Sequence, residues 1–445
     1  MSELMAARAQ MGTSLAFHII FAVIGIGMPL VLLIAEGLWL RTGKDVYHQL
    51  ARTWSRAFAV TFAIGAVSGT MLSFEIGLLW PRFMEFAGGI IGMPFSLEGF
   101  AFFIEGIFLA IYLYGWDRLS RRAHFLCGFP LLLGGFASTF FIIAANSWMN
   151  TPQGFVLNAA GEVVDVDPIA AMFNPALFTQ YTHMLFAALV TTGFSVAAVY
   201  AWGMLKGRRD EYHRKGLAIG LAVAGILMPI QLVTGDLIAV QVTKNQPLKL
   251  ATMEGLFQTT SGAPLTLFGI PDEETRTVKG GIEIPYLLSL LAYNDPTATV
   301  QGMEEWPEED WPNPVLVHLA YDTMITLGSL LLLPGVIGLY AWRRRPHWLQ
   351  HRVFLWGLVA SSPAAFICVE TGWITTESGR QPWVVYEVLR TEDSFTTATG
   401  ILPWFVVFSG VYILLAVLGS MILIRMARRR RERLAAAETA EAAGG

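Results

Sequence analysis

Nine long apolar stretches constrain this chain more than any other feature of it. They fall at about 13–40, 54–80, 94–115, 124–149, 178–205, 214–238, 313–342, 350–376 and 398–426. A hydrocarbon core about 30 Å thick takes roughly 20 helical residues to cross. Inside it no water is available to the backbone, so each crossing segment must satisfy its own N–H and C=O groups as a helix. The stretches therefore predict an all-α integral membrane protein with nine transmembrane helices. Composition agrees, since 54% of the 445 residues are hydrophobic and only 14% charged, too apolar for a soluble domain.

The charges between the stretches test that count. Arg41, Lys44, Arg52 and Arg56 lie between the first and second, and Arg118, Arg121 and Arg122 between the third and fourth. Lys206, Arg208, Arg209, Arg214 and Lys215 follow the fifth, Arg343, Arg344, Arg345 and Arg352 the seventh, and Arg425, Arg428 to Arg431 and Arg433 the ninth. Alternate connections thus hold 22 of the 30 lysines and arginines. Basic residues mark the cytoplasmic side, which predicts an outside N-terminus and a cytoplasmic C-terminus. An even number of spans would break the alternation. The first apolar run is too long for a signal peptide and reads as a retained span.

The organisation follows: helices 1–6 over 1–238, one long extracytoplasmic loop over 239–312, helices 7–9 over 313–427, and a basic cytoplasmic tail over 428–445 that frays into disorder at its end. The loop is rich in Pro and Gly, and Glu304, Glu305, Glu308, Glu309 and Asp310 cluster near its end. Loops of such length are functional or disordered, and "TLFGIPDEETRTVKGGIEIPYLLSLL" is apolar enough to fold against the membrane surface. No internal repeat is visible, which weighs against an inverted-repeat transporter.

Ionisable residues inside spans are expensive and therefore candidates for function. They are His18, Glu75, Glu98, Glu105, His183, Asp236, His318, Asp322 and Glu370. His18 and His183 fit either interfacial hydrogen bonding or axial ligation of a haem, which needs a neutral imidazole in an apolar cavity. Met324 is one methionine among 17, and spacing alone does not select it. Glu98 and Glu105 stand seven residues apart, two turns along one helix face, and suit proton movement or interhelical hydrogen bonding. Glu370 has three open roles: metal ligand, partner of a buried base, or proton relay. Cys127 and Cys368 are isolated and read as small buried hydrophobes. There is no Walker A loop, dinucleotide fingerprint, HExxH or CxxCH motif, so any haem is held non-covalently.

Taken in order, "FHIIF", "EGFAFFIE", "YGWDRLS", "ANSWMNTP", "LTLFGIPDEE", "IEIPY" and "ETGWITTESGRQPW" resemble subunit I of the cytochrome bd-type quinol oxidases, of the short quinol-loop kind. The resemblance runs the length of the chain. It implies a respiratory enzyme that oxidises quinol at the outer face and reduces O2 to water with cytoplasmic protons, making a proton gradient without pumping. It implies a low-spin haem b, a high-spin haem b, and a haem d or third haem b. His183 and Met324 match the low-spin pair, and His18 and Glu370 the ligands of the two high-spin haems. Glu98 matches a residue beside the oxygen-reducing haem, Glu105 one on the proton route, and Asn146 and Trp373 haem-pocket residues. In "QPLKLATMEG", Lys249 and Glu254 match positions linked with quinol, and Arg380 is a counter-charge for haem propionates. The implied partners are subunit II, a small single-helix subunit and membrane lipid, in a bacterial inner membrane, with no nucleic acid. Asp322 departs from the family pattern, where a basic residue is expected, and the role of Glu75 is open. A proton-coupled transporter, or an electron-transfer cytochrome b without oxygen chemistry, are the alternative readings.

Overall fold

The computed structural model describes residues 2–444, with side chains described through Arg429 and at Glu432. The expected fraying of the tail thus concerns side chains outside the described residues. Thirteen α-helices follow one another: α1 Glu3–Thr42, α2 Asp45–Leu79, α3 Pro81–Tyr114, α4 Arg121–Asn150, α5 Pro168–Met172, α6 Leu177–Leu205, α7 Glu211–Asn245, α8 Pro247–Glu254, α9 Leu287–Tyr293, α10 Pro314–Arg344, α11 Arg352–Ser378, α12 Thr391–Ser394 and α13 Ile401–Gly444. Nine of them (α1–α4, α6, α7, α10, α11 and α13) are long and apolar enough to cross a membrane, matching the count read from the sequence. Four of them start on a polar residue that caps the first turn. Ser2, Ser120, Asp210 and Asn313 each accept a backbone N–H from the first turn of the helix that follows. The sixth span runs on to Asn245, past the boundary expected at 238.

Small residues decide which helices pack most closely. A Cβ placed on Gly193 of α6 would lie 2.7 Å from the backbone N of Ala224, and one on Gly220 of α7 2.5 Å from that of Ala197. The two backbones are in contact, the arrangement that drives helix association where no hydrophobic force separates helix from lipid. Along α3 and α4 a polar ladder joins glycine. Ser138 donates to Glu98 at 3.0 Å, Glu105 lies against Gly134 and Gly135, and Tyr112 meets His124.

That last rung is a buried triad across α1, α3 and α4. Tyr112 donates to Glu36 at 2.6 Å, and His124 Nδ1 is 2.7 Å from the other Glu36 oxygen. His124 Nε2 faces the Tyr112 carbonyl at 2.8 Å, so it must carry hydrogen. One further proton is left for Nδ1 and Glu36 to share. Removing one partner of a buried ionic pair strands the other, at a cost of roughly 3–5 kcal/mol. His124→Ala is therefore expected to lower the thermal unfolding temperature of the purified complex, and the double Glu36→Leu/His124→Leu variant to lower it less. A double variant as unstable as the single would show that the triad's cost lies in lost packing instead.

The segment between α7 and α10 is built rather than loose. Short antiparallel pairs join Thr260–Ser261 to Thr299–Val300, Leu265–Leu267 to Ile282–Ile284, and Ile270–Asp272 to Thr277–Lys279. Asp310 at its end is ion-paired with Arg390, which ties it to the connection between α11 and α13.

Candidate functional site

A cavity of about 390 Å³ opens among α6, α7, α8, α10 and α11. His183, Gln231, Asp236, Met324 and Trp373 line it, and so do Asn146, Lys249 and Glu254. Residues from five spans (α4 through Asn146) and the loop helix, scattered over more than 200 positions of sequence, thus meet around one space.

The histidine tautomers follow from their neighbours. Thr234 donates its hydroxyl hydrogen to the Gln231 carbonyl at 2.9 Å, so its oxygen is left to accept from His183 Nδ1 at 3.2 Å. Nε2 then carries the lone pair, as a metal ligand requires, and here faces the Gln231 amide nitrogen at 3.2 Å. His18, between α1 and α2, repeats the pattern. Ser68 donates to Ile64 O at 3.0 Å and accepts from His18 Nδ1 at 3.0 Å. Both imidazoles also face glycine. A Cβ on Gly235 would lie 3.4 Å from His183 Cε1, and one on Gly69 2.9 Å from His18 Cε1. Across the cavity a Cβ on Gly372 would lie 3.0 Å from Met324 Sδ.

His18 and Glu370 do not line that cavity. Their neighbours Ile19 and Val369 share a separate core cluster, which Trp373 borders. One oxygen of Glu370 is buried with no hydrogen-bond partner among the described residues. Such an orphan costs roughly 1–3 kcal/mol unless something not made of protein answers it.

At the α8 end of the cavity stands a charged group. Lys249 Nζ donates to Asn150 at 2.7 Å and to Gln246 at 2.8 Å. Burial, with Arg380 nearby, pushes its ammonium down to about 7. Glu254 is pushed up to about 8 by burial, opposed by a hydrogen bond from Tyr321 and reinforced by Asp322. Arg380 is 2% exposed and paired with Glu377, which also accepts from Asn146 at 2.6 Å. Two further guanidinium nitrogens of Arg380, Nε and Nη1, have no partner among the described residues. They are available to an anion, as a propionate counter-charge requires.

Asp322 and Glu75, which sequence left unexplained, have local partners. Asp322 accepts from the Phe268 backbone at 2.9 Å and lies 3.4 Å from His318 Nε2, fastening the loop to α10. Ser14 donates to Glu75 at 2.8 Å, and Tyr412 donates to Ser14 at 2.9 Å, joining α1, α2 and α13. Sequence reading missed the supporting set: Ser68, Thr234, Glu377, and the Glu36–His124 pair. Glu36 was legible as a carboxylate within the first apolar stretch, but its nearness to Arg41 gave it the look of a helix end.

The donors fit a haem iron better than a bare ion. Among the described residues no three His, Cys, Asp or Glu side chains converge. What the interior presents instead are single imidazole, thioether and carboxyl groups, the number a macrocycle-bound iron leaves for protein to supply. The glycines facing them leave room for a flat ring. Such an interior defines a membrane-embedded haem protein.

Comparison with known proteins names the family. A model of "Cytochrome bd terminal oxidase subunit I" matches residues 6–431. A Bacillus subtilis (strain 168) protein named "Putative cytochrome bd menaquinol oxidase subunit I" is 39% identical, over 95% of this chain and 95% of its own. The cytochrome bd-II ubiquinol oxidase subunit 1 of Escherichia coli (strain K12) is 27% identical over 88% of this chain and 89% of its own. A solved structure of bd oxidase from Geobacillus thermodenitrificans superposes with a TM-score of 0.92 at 41% identity, covering 96% of this chain and 98% of that one. The chain belongs to the cytochrome bd terminal oxidase subunit I family. It is a multi-pass, haem-containing subunit of a quinol:oxygen oxidoreductase that is built from more than one subunit.

Proposed function

We propose that this chain oxidises quinol beside α8 at the outer face and delivers the electrons inward to O2, with protons drawn from the cytoplasm and no pump. The observation that carries this reading is the shared cavity, where Lys249 and Glu254 open onto the same space as His183 and Met324. His183 and Met324 would hold a low-spin haem b. His18 and Glu370 would each hold one of two high-spin haems, a haem b and a haem d or third haem b. Bound haem supplies one-electron transfer and an iron at which O2 can be reduced.

The rest falls to the chain's own groups. Glu254 accepts a proton from the quinol hydroxyl, an assignment favoured by a carboxyl titrating near neutrality. Lys249 orients the quinol oxygen by donating to it, and Asn150 and Gln246 hold the amine in place. Asn146 and Glu377 position Arg380 against propionates, and Trp373 walls the pocket. Glu105 and Glu98 pass protons along α3 toward the oxygen site, with Ser138 donating to Glu98. The N-terminus would lie outside and the C-terminus in the cytoplasm of a bacterial inner membrane, beside subunit II and a small single-helix subunit.

The assembled oxidase is expected to show low- and high-spin haem bands in its reduced-minus-oxidised spectrum, and Met324→Leu to remove the low-spin signature while high-spin bands persist. A preparation without haem absorbance, or without quinol-dependent O2 uptake, would refute the reading.

A further inference from the structure

The arginine-bearing ends of α10 and α11 enclose a second, open groove of about 730 Å³ that the redox site does not use. Leu330, Pro334, Ile337, Val353 and Phe354 make its apolar walls, and Trp348 and His351 stand among its lining residues. Gly357 also lines it, and a Cβ there would meet nothing within 4 Å.

Around the turn Pro346–Gln350 that joins the two helices, Arg343, Arg344, Arg345 and Arg352 are all exposed. None of the four has an ion pair among the described residues. No acidic residue occurs between Arg343 and Arg352. Other basic turns do draw on acids: Lys44 pairs with Glu211, and Arg52 with Asp117. This turn therefore combines uncompensated positive charge, a tryptophan and an apolar slot running along the spans.

We propose that the groove binds an anionic phospholipid, with an acyl chain against Gly357 and Pro334 and the phosphate among the four arginines. Charge complementarity selects this occupant over a neutral lipid. Basic pockets between transmembrane helices recognise acidic headgroups in this way, and interfacial tryptophan sits at headgroup level. A guanidinium also matches phosphate through paired hydrogen bonds.

The test uses the assembled oxidase, stripped of loosely held lipid and offered phosphatidylglycerol or phosphatidylcholine, with retained lipid counted by native mass spectrometry. Phosphatidylglycerol should be retained at least about tenfold better. Gly357→Trp, whose Cβ would start in open space on the groove wall, should abolish that retention while the haem spectrum stays unchanged. Replacing the four arginines with glutamine should leave both lipids bound equally and weakly. The site is overturned if the parent oxidase shows no preference, or if Gly357→Trp retains phosphatidylglycerol as well as the parent does. It is equally overturned if a photo-crosslinker at position 357 captures a protein subunit instead of lipid.

Discussion

Glu254→Gln is expected to slow quinol oxidation by roughly 10²–10⁴-fold, the usual cost of losing a positioned general base. The parent enzyme should show kcat/KM for quinol rising with pH through about 8, where the Glu254 carboxylate forms, and the variant should lose that rise. The same substitution should stabilise the protein. Burial raises the folded-state value of this carboxyl from 4.5 to about 8, so between those limits the native state keeps a proton that the unfolded chain has released. Stability due to Glu254 therefore falls as pH rises through the window, by on the order of 3 kcal/mol at pH 7. Glutamine does not titrate and escapes that loss. Thermal unfolding of parent and variant should accordingly diverge from pH 5 to pH 8, with the variant higher. Parallel curves would mean that Glu254 is not the buried acid proposed.

Glu370→Ala is expected to remove one high-spin haem while the fold and the low-spin centre persist. The carboxyl has a buried oxygen without a partner among the described residues, so its removal breaks no hydrogen bond at that atom. Pyridine haemochrome analysis should find haem content lowered by one of the proposed three, and O2 uptake should fall to background. Glu370→Gln, which keeps the shape but not the charge, separates ligation from packing: it should behave like alanine if the carboxylate binds iron. A full haem complement in Glu370→Ala would refute ligation. Taken with Met324→Leu, the two variants should delete different bands, because Glu370 stands outside the cavity that Met324 lines.

Much of the architecture is legible in the sequence. Hydropathy and loop charge marked nine spans because lipid enforces a length and a charge asymmetry that sequence displays directly. The connectivity of the site was less visible. His18 and His183 stood out as ionisable groups in apolar runs, yet only their pairing with Ser68 and Thr234 distinguishes a poised imidazole from an ordinary interfacial one. A hydroxyl in a helix carries no mark in sequence, and its meaning depends on which span lies opposite. Glu377 escaped for the same reason: at the end of α11 it looks solvated, and in the fold it joins Asn146 to Arg380. Met324 could be chosen only by resemblance, since a thioether in an apolar helix is chemically indistinguishable from packing until the space beside it is seen.

The short helix α8 is fastened at both ends to different spans. Lys249 reaches Asn150 on α4, and the Met253 carbonyl accepts from His318 on α10 at 2.7 Å. His318 and Met324 belong to one continuous helix, six residues apart, which sets them about 9 Å apart along its axis. If quinol binds beside α8 and a haem on Met324, as proposed, the gap between electron donor and first acceptor would be a gauge length cut into a single rod, not a spacing that docking must find anew at each turnover. Changes in the outer hairpins should alter which quinols are admitted while leaving the tunnelling distance, and hence the intrinsic rate of the first electron step, untouched.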